Sequence, residues 1–146
     1  MTIKIFTTAI ITGILSITFG ILLGQVSPSE FAAHMKKWNV PAEAENAVNP
    51  YAHNTAATDS GKIIYQKICS VCHGTGGKGD GVAAVGLSVQ PANHTSDHVQ
   101  SQSDGALYYE ITTGHAPMPS YKTVLNDKQR WQVVNFIRTL KSKPHK

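Results

Sequence analysis

The chain's only two cysteines stand in the run Cys69-Ser70-Val71-Cys72-His73, and few five-residue stretches constrain a fold as tightly. Cys-x-x-Cys-His is the attachment signature of a covalent haem. Two residues between the cysteines let one turn of chain match the separation of the two porphyrin vinyl groups, so each thiol forms one thioether bond. His73, held next to Cys72, then stands beneath the iron and offers an imidazole nitrogen as the proximal axial ligand. The pattern implies one haem c, bound covalently, and a fold that wraps it.

Other readings of the same residues are weaker. A structural zinc site needs four ligands, and His94 with His98 is the pair that would complete Cys69 and Cys72. A redox dithiol of the thioredoxin kind needs strands and a βαβ setting, for which the chain shows no pattern. Gly74-Thr75-Gly76-Gly77-Lys78-Gly79 fits G-x-G-x-x-G, but a dinucleotide loop follows a strand and opens a helix. Here the cysteine run precedes it and Asp80-Gly81 follows. Gly77-Lys78 also lacks the Ser or Thr of a phosphate-binding loop. Asn93-His94-Thr95 is a formal glycosylation sequon with no role assigned to it.

The apolar residues support a cofactor-filled interior. Of 146 residues, 41% are hydrophobic, but many crowd the first two dozen positions and leave the remainder a thin core. A domain of under about 90 residues is marginal without a metal, disulfide or cofactor. The irregular stretch from Gly74 to Ser103 is long for a small domain unless it wraps something.

A second axial ligand is sought after the middle of the chain, in Gly114-His115-Ala116-Pro117-Met118-Pro119-Ser120-Tyr121. Met118, held between two prolines, is well placed to put a thioether sulfur on iron, which raises the reduction potential. Met1 is the start residue and Met35 lies in a connecting segment, so Met118 is the one methionine within the domain. His115, His94 and His98 are the remaining candidates for that position.

Three helices are expected from the pattern. The first runs from about Ser60 to Ile68, capped by Asp59 or Ser60. The second covers about Asp104 to Thr113, with Leu107, Tyr108 and Ile111 on one face and Gly114 as its stop. The third runs from about Asp127 to Lys141, with Asn126 as cap and Gln129 at the third position of a capping box. Gly61 allows a close crossing of the first and third helices, and Tyr65 against Phe136 locks it. Val133, Ile137 and Leu140 face the same way, and Trp131 is read as packing rather than as a redox group.

Ahead of the domain, Ile5 to Leu23 is an uncharged apolar run long enough to span a bilayer as a helix. Lys4 before it favours a cytoplasmic N-terminus. Gly24-Gln25-Val26-Ser27-Pro28 is a poor cleavage site, which favours an uncleaved anchor over a signal peptide. The expected organisation is an anchor at 1–26, a Pro-containing tether at 27–58 and a haem domain at 59–146. Phe31, Met35 and Trp38 form a short apolar stripe in the tether.

From Asp59 onward ten Lys or Arg face six Asp or Glu. That balance suits an acidic protein partner and is too mild for nucleic acid.

From about Asp59 to Leu140 the chain resembles the class I cytochrome c family, closest to its single-domain, membrane-anchored bacterial members. The resemblance rests on Gly61 and Tyr65, on Cys69 to Gly74, and on Gly77-Lys78-Gly79-Asp80-Gly81. It continues through Pro91, Gly114 with Met118-Pro119-Ser120-Tyr121, and Arg130 to Phe136. It implies an all-α fold around one haem whose edge is exposed. In that family a carbonyl in a proline region accepts a hydrogen bond from the proximal histidine, and Pro91 matches that position. Asn49-Pro50-Tyr51 resembles leaders of membrane-bound respiratory cytochromes. The function so implied is electron carriage between redox proteins in or on the bacterial cytoplasmic membrane, with the haem domain in the periplasm. With His73 and Met118 filling both axial positions there is no site for a small-molecule substrate and no enzyme activity at the iron. An obligate subunit of a larger respiratory complex shares the same chemistry; a peroxidase-type enzyme requires Met118 to dissociate.

Overall fold

The computed structural model describes residues 38–142. The expected anchor lies outside these residues, as do Phe31 and Met35. Among the described residues no helix is long and apolar enough to cross a membrane.

The described residues are helical, with long connecting loops. In chain order they form α1 (Ala42–Glu45), α2 (Thr55–Ile64), a π-turn (Tyr65–Cys69), α3 (Ser70–His73), a 3-10 turn (Ala84–Gly86), α4 (Asp97–Gln100), α5 (Asp104–Thr113) and α6 (Asp127–Thr139). Local signals explain most boundaries. Asn126 Oδ1 accepts from the Gln129 amide while Gln129 Oε1 accepts from the Asn126 amide, both at 2.9 Å, which is the expected capping box. Ser103 caps α5 through the Ala106 amide at 3.0 Å, and Gly114 at φ 65° ends it.

The first helix departs from expectation. It begins at Thr55, capped by Asn54 Oδ1 accepting from the Ala57 amide, rather than near Ser60. Its first turn carries only small residues, so apolar periodicity marks it late. It then widens into the π-turn, which delivers Cys69 to the start of α3.

α2 crosses α6 at Gly61. A Cβ there would collide with the Gln132 carbonyl, so only glycine permits the approach. One turn on, the Tyr65 and Phe136 rings sit 5.0 Å apart, as the sequence suggests. Tyr65, Val133 and Val134 are completely enclosed, and Leu107, Ile111, Leu125 and Ile137 complete the core. Trp131 is packing, stacked on Tyr108 at 4.0 Å.

The tether expected over 27–58 needs correction at its C-terminal end. Asn49 is buried, and its amide donates to Asp104 Oδ2 at 2.8 Å and to Asn135 Oδ1 at 2.7 Å. Asn135 in turn donates to the Tyr51 carbonyl at 2.6 Å. A polar segment looks like linker in sequence, but here the Asn49 amide satisfies Asn135 Oδ1 on α6, which would otherwise be buried without a partner.

Candidate haem site

The cysteine run occupies the π-turn and α3, a helix of four residues with three carbonyls at its end to satisfy. The glycine-rich loop supplies the donors. Gly79 N–H donates to the His73 carbonyl at 2.8 Å, Gly81 N–H to Cys72 at 3.0 Å and Ala83 N–H to Val71 at 2.9 Å. The loop is thus a clasp around the cysteine turn, and the G-x-G-x-x-G match has neither a preceding strand nor a following helix. Gly79 adopts φ 78°, where a Cβ would strike the Pro91 carbonyl.

Cys69 and Cys72 are half-buried and carry no disulfide. Burial drives the Cys69 thiol up to about 12, with Cys72 adding to the rise, so the unmodified thiol is neutral at physiological pH. His73 Nδ1 lies 3.0 Å from the Ala92 carbonyl. A carbonyl only accepts, so Nδ1 carries the proton and Nε2 keeps its lone pair free for a metal. Burial lowers the His73 pKa, against the opposing pull of the Ala92 carbonyl, and the ring stays neutral as ligation requires.

The acceptor is one residue past the expected one. Pro91 does not receive the His73 hydrogen bond; its carbonyl faces Gly79, and the next peptide turns the Ala92 carbonyl toward His73. Which of two neighbouring carbonyls faces inward is a matter of loop torsion, which residue identity does not reveal.

Met118 is half-buried and packs on the same core cluster as Cys69. Its amide and carbonyl pair with those of His115, each at 2.9 Å, across the Ala116–Pro117 turn. The loop is tied back to α5 by Ser120 Oγ donating to the Thr112 carbonyl at 2.7 Å and Tyr121 N–H donating to Ile111 at 3.1 Å. Tyr121, three residues past Met118, has its pKa raised by burial and by the nearby Cys69 and Cys72 thiols. The methionine loop and the cysteine turn are therefore neighbours.

The rival histidines lie elsewhere. His98 is exposed on α4, and His115 is exposed, edge-on to Trp38 at 5.4 Å. His94 is buried and stacks on the His73 ring at 4.2 Å. It thus shares the His73 side rather than facing it. Among the described residues no group of three or more His, Cys, Asp or Glu is arranged to hold a metal ion. The donor set fits a haem: two free thiols one helical turn apart, an adjacent imidazole with the correct tautomer, and a thioether loop beside them. Ala92 is the neighbour of His73 that sequence reasoning missed, and no local signal marks it. His94, read from sequence as a rival ligand, is found stacked on His73 instead.

A helical domain clasping a Cys-x-x-Cys-His turn against a methionine loop defines the class: a c-type cytochrome domain. Residues 56–137, more than half of the chain, match the family described as cytochrome C oxidase, cbb3-type, subunit III, and the chain belongs to that family. Its cofactor is covalently bound haem c. The cbb3-type cytochrome c oxidase subunit CcoP of Azospirillum brasilense is 29% identical over 101 residues, covering 68% of this chain and 34% of that protein. A chain of the Kuenenia stuttgartiensis reducing HAO-like protein complex superposes with a TM-score of 0.58 at 26% identity, covering 76% of this chain and 54% of that one. The chain therefore spans about a third of the length of the curated relative and about half that of the structural neighbour.

Proposed function

We propose that this chain carries single electrons as a monohaem c-type cytochrome, with Cys69 and Cys72 in thioether bonds, His73 as proximal ligand and Met118 as the opposite ligand. The observation that carries the reading is the 3.0 Å contact of His73 Nδ1 with the Ala92 carbonyl, which commits Nδ1 as donor and leaves Nε2 for a metal, beside two unpaired thiols. When bound, haem iron supplies one-electron exchange between its ferrous and ferric states. The protein's share is to hold that exchange in place. Ala92 orients His73, the loop from Gly79 to Ala83 fixes the cysteine turn, and α5 anchors the loop that presents Met118. Exposed Lys67, Lys78 and Lys122 suit an acidic protein partner, through a weak and salt-sensitive attraction.

The apolar run Ile5–Leu23 supports a single-pass anchor in the bacterial cytoplasmic membrane, with the haem domain in the periplasm. Anchoring raises the local concentration of the domain near its redox partners. The family and the CcoP relative favour work as a subunit of a larger membrane oxidoreductase rather than as a free carrier. Co-purification through mild detergent with a larger complex is the expected result; isolation of the chain alone in stoichiometric yield would instead identify a free carrier.

The ligand reading is tested by absorption spectra of the oxidised and reduced protein. A c-type pyridine haemochrome and a far-red band of sulfur-bound ferric haem are expected. Met118→Ala abolishes that band; its persistence would exclude Met118.

A further inference from the structure

His94 holds an unusual place for a histidine. It is buried at 9% exposure, and its ring lies almost parallel to that of His73, with centroids 4.2 Å apart and planes 17° apart. It is held on several sides. Its amide donates to the Gly77 carbonyl at 2.6 Å, and its carbonyl accepts from Gln100 Nε2 at 2.6 Å. Its Nδ1 lies 2.9 Å from the Tyr65 hydroxyl. Tyr65 is fully enclosed, and its hydroxyl and His94 Nδ1 are hydrogen-bond partners. Tyr65 is braced in turn by Phe136 on α6.

An imidazole bound to iron through Nε2 stands on edge against the porphyrin, so its two faces remain open to contact. One in-plane hydrogen bond, here to Ala92, pins one edge of the ring and leaves its tilt free. A second ring packed on the face removes that freedom.

We propose that His94 is a positioning residue that fixes the plane of the His73 imidazole, using a face-to-face stack locked by the Tyr65 hydroxyl. The proposal rests on the reading of His73 as axial ligand and deepens it. A merely structural histidine would need no defined angle to its neighbour. Here Phe136, Tyr65, His94 and His73 form one continuous series of ring contacts from the helix crossing to the proximal ligand.

The test uses the full chain with its haem, purified in detergent, and two readouts. The far-red absorption band reports whether Met118 sulfur is on ferric iron. Proton NMR of the ferric protein reports the four haem-methyl resonances, whose order and spread follow the planes of the axial ligands. His94→Leu keeps the far-red band and shifts the methyl spread. His94→Phe, which retains a ring to stack, stays close to the wild-type pattern. An unchanged pattern in His94→Leu overturns the proposal, as does a shift in His94→Phe equal to that in His94→Leu. Should His94→Leu fail to mature, Tyr65→Phe decides. It deletes only the oxygen that holds His94, and it is expected to shift the methyls; unchanged resonances there overturn the proposal. A wild-type protein lacking the far-red band overturns the ligand reading itself, a failure visible before any variant is made.

Discussion

The side-chain amide of Asn49 donates to the carboxamide oxygen of Asn135 at 2.7 Å, joining a segment ahead of the first long helix to the middle of the last. The same amide reaches Asp104, whose other carboxylate oxygen accepts from Arg138 Nε at 2.7 Å. Asn49→Ala strands Asn135 Oδ1 in a buried site. An unsatisfied buried acceptor costs about 1–3 kcal/mol, so the urea midpoint falls accordingly. Asn46→Ala, at an exposed position, is the control and changes stability by less than about 0.5 kcal/mol.

Gly61→Ala is expected to be as damaging as many larger changes. Its new methyl meets the Gln132 carbonyl, which is backbone and yields only if α2 and α6 move apart. Overpacking of this kind costs about 1–3 kcal/mol. Gly76→Ala, with nothing within 4 Å of the new atom, leaves the unfolding midpoint near wild type.

Stability should depend on pH through Glu110. Burial raises its carboxyl to about 7, against the opposing hydrogen bond from Gln102. The folded state thus holds a proton that the unfolded chain releases near the ordinary value of 4.5. Its contribution is complete below about 4.5 and is lost as pH rises through about 7, with a slope of at most about 1.4 kcal/mol per unit. Glu110→Gln flattens this dependence in urea unfolding measured from pH 4 to 8. An identical pH profile in wild type and variant contradicts the assignment.

Removing the covalent link separates attachment from folding. In a Cys69→Ala, Cys72→Ala double variant, acid-acetone extracts all red colour from the denatured chain, whereas in wild type the colour stays with the protein. The variant also loses stability against urea, since a haem no longer bound to two thioethers dissociates from a small core.

Much of the site was legible because its chemistry is local. The cysteine turn, the Asn126/Gln129 box and the Asp104-to-Thr113 span of α5 with its Gly114 stop each depend on residues near one another in the chain, and each formed as read; the Ser103 cap on α5 was not read. The glycine at the crossing and the Tyr65/Phe136 contact were legible for a different reason: a helical period places them on facing sides. The early start of α2 was not, because Thr55 to Thr58 offers no apolar stripe, only a cap.

What the chain determined unaided was the cofactor, through two thiols and an imidazole at a spacing that suits a porphyrin, and the helices that carry them. Tertiary structure decided which loop groups serve that centre. Ala92 rather than Pro91 turns its carbonyl to His73, His94 lies face-on to it, and Asn49 belongs to the domain and not to a tether. Each of these depends on groups brought together by packing across dozens of residues. Hydrogen-bond satisfaction and ring contact in a small core select such pairs, and neither is written into neighbouring positions.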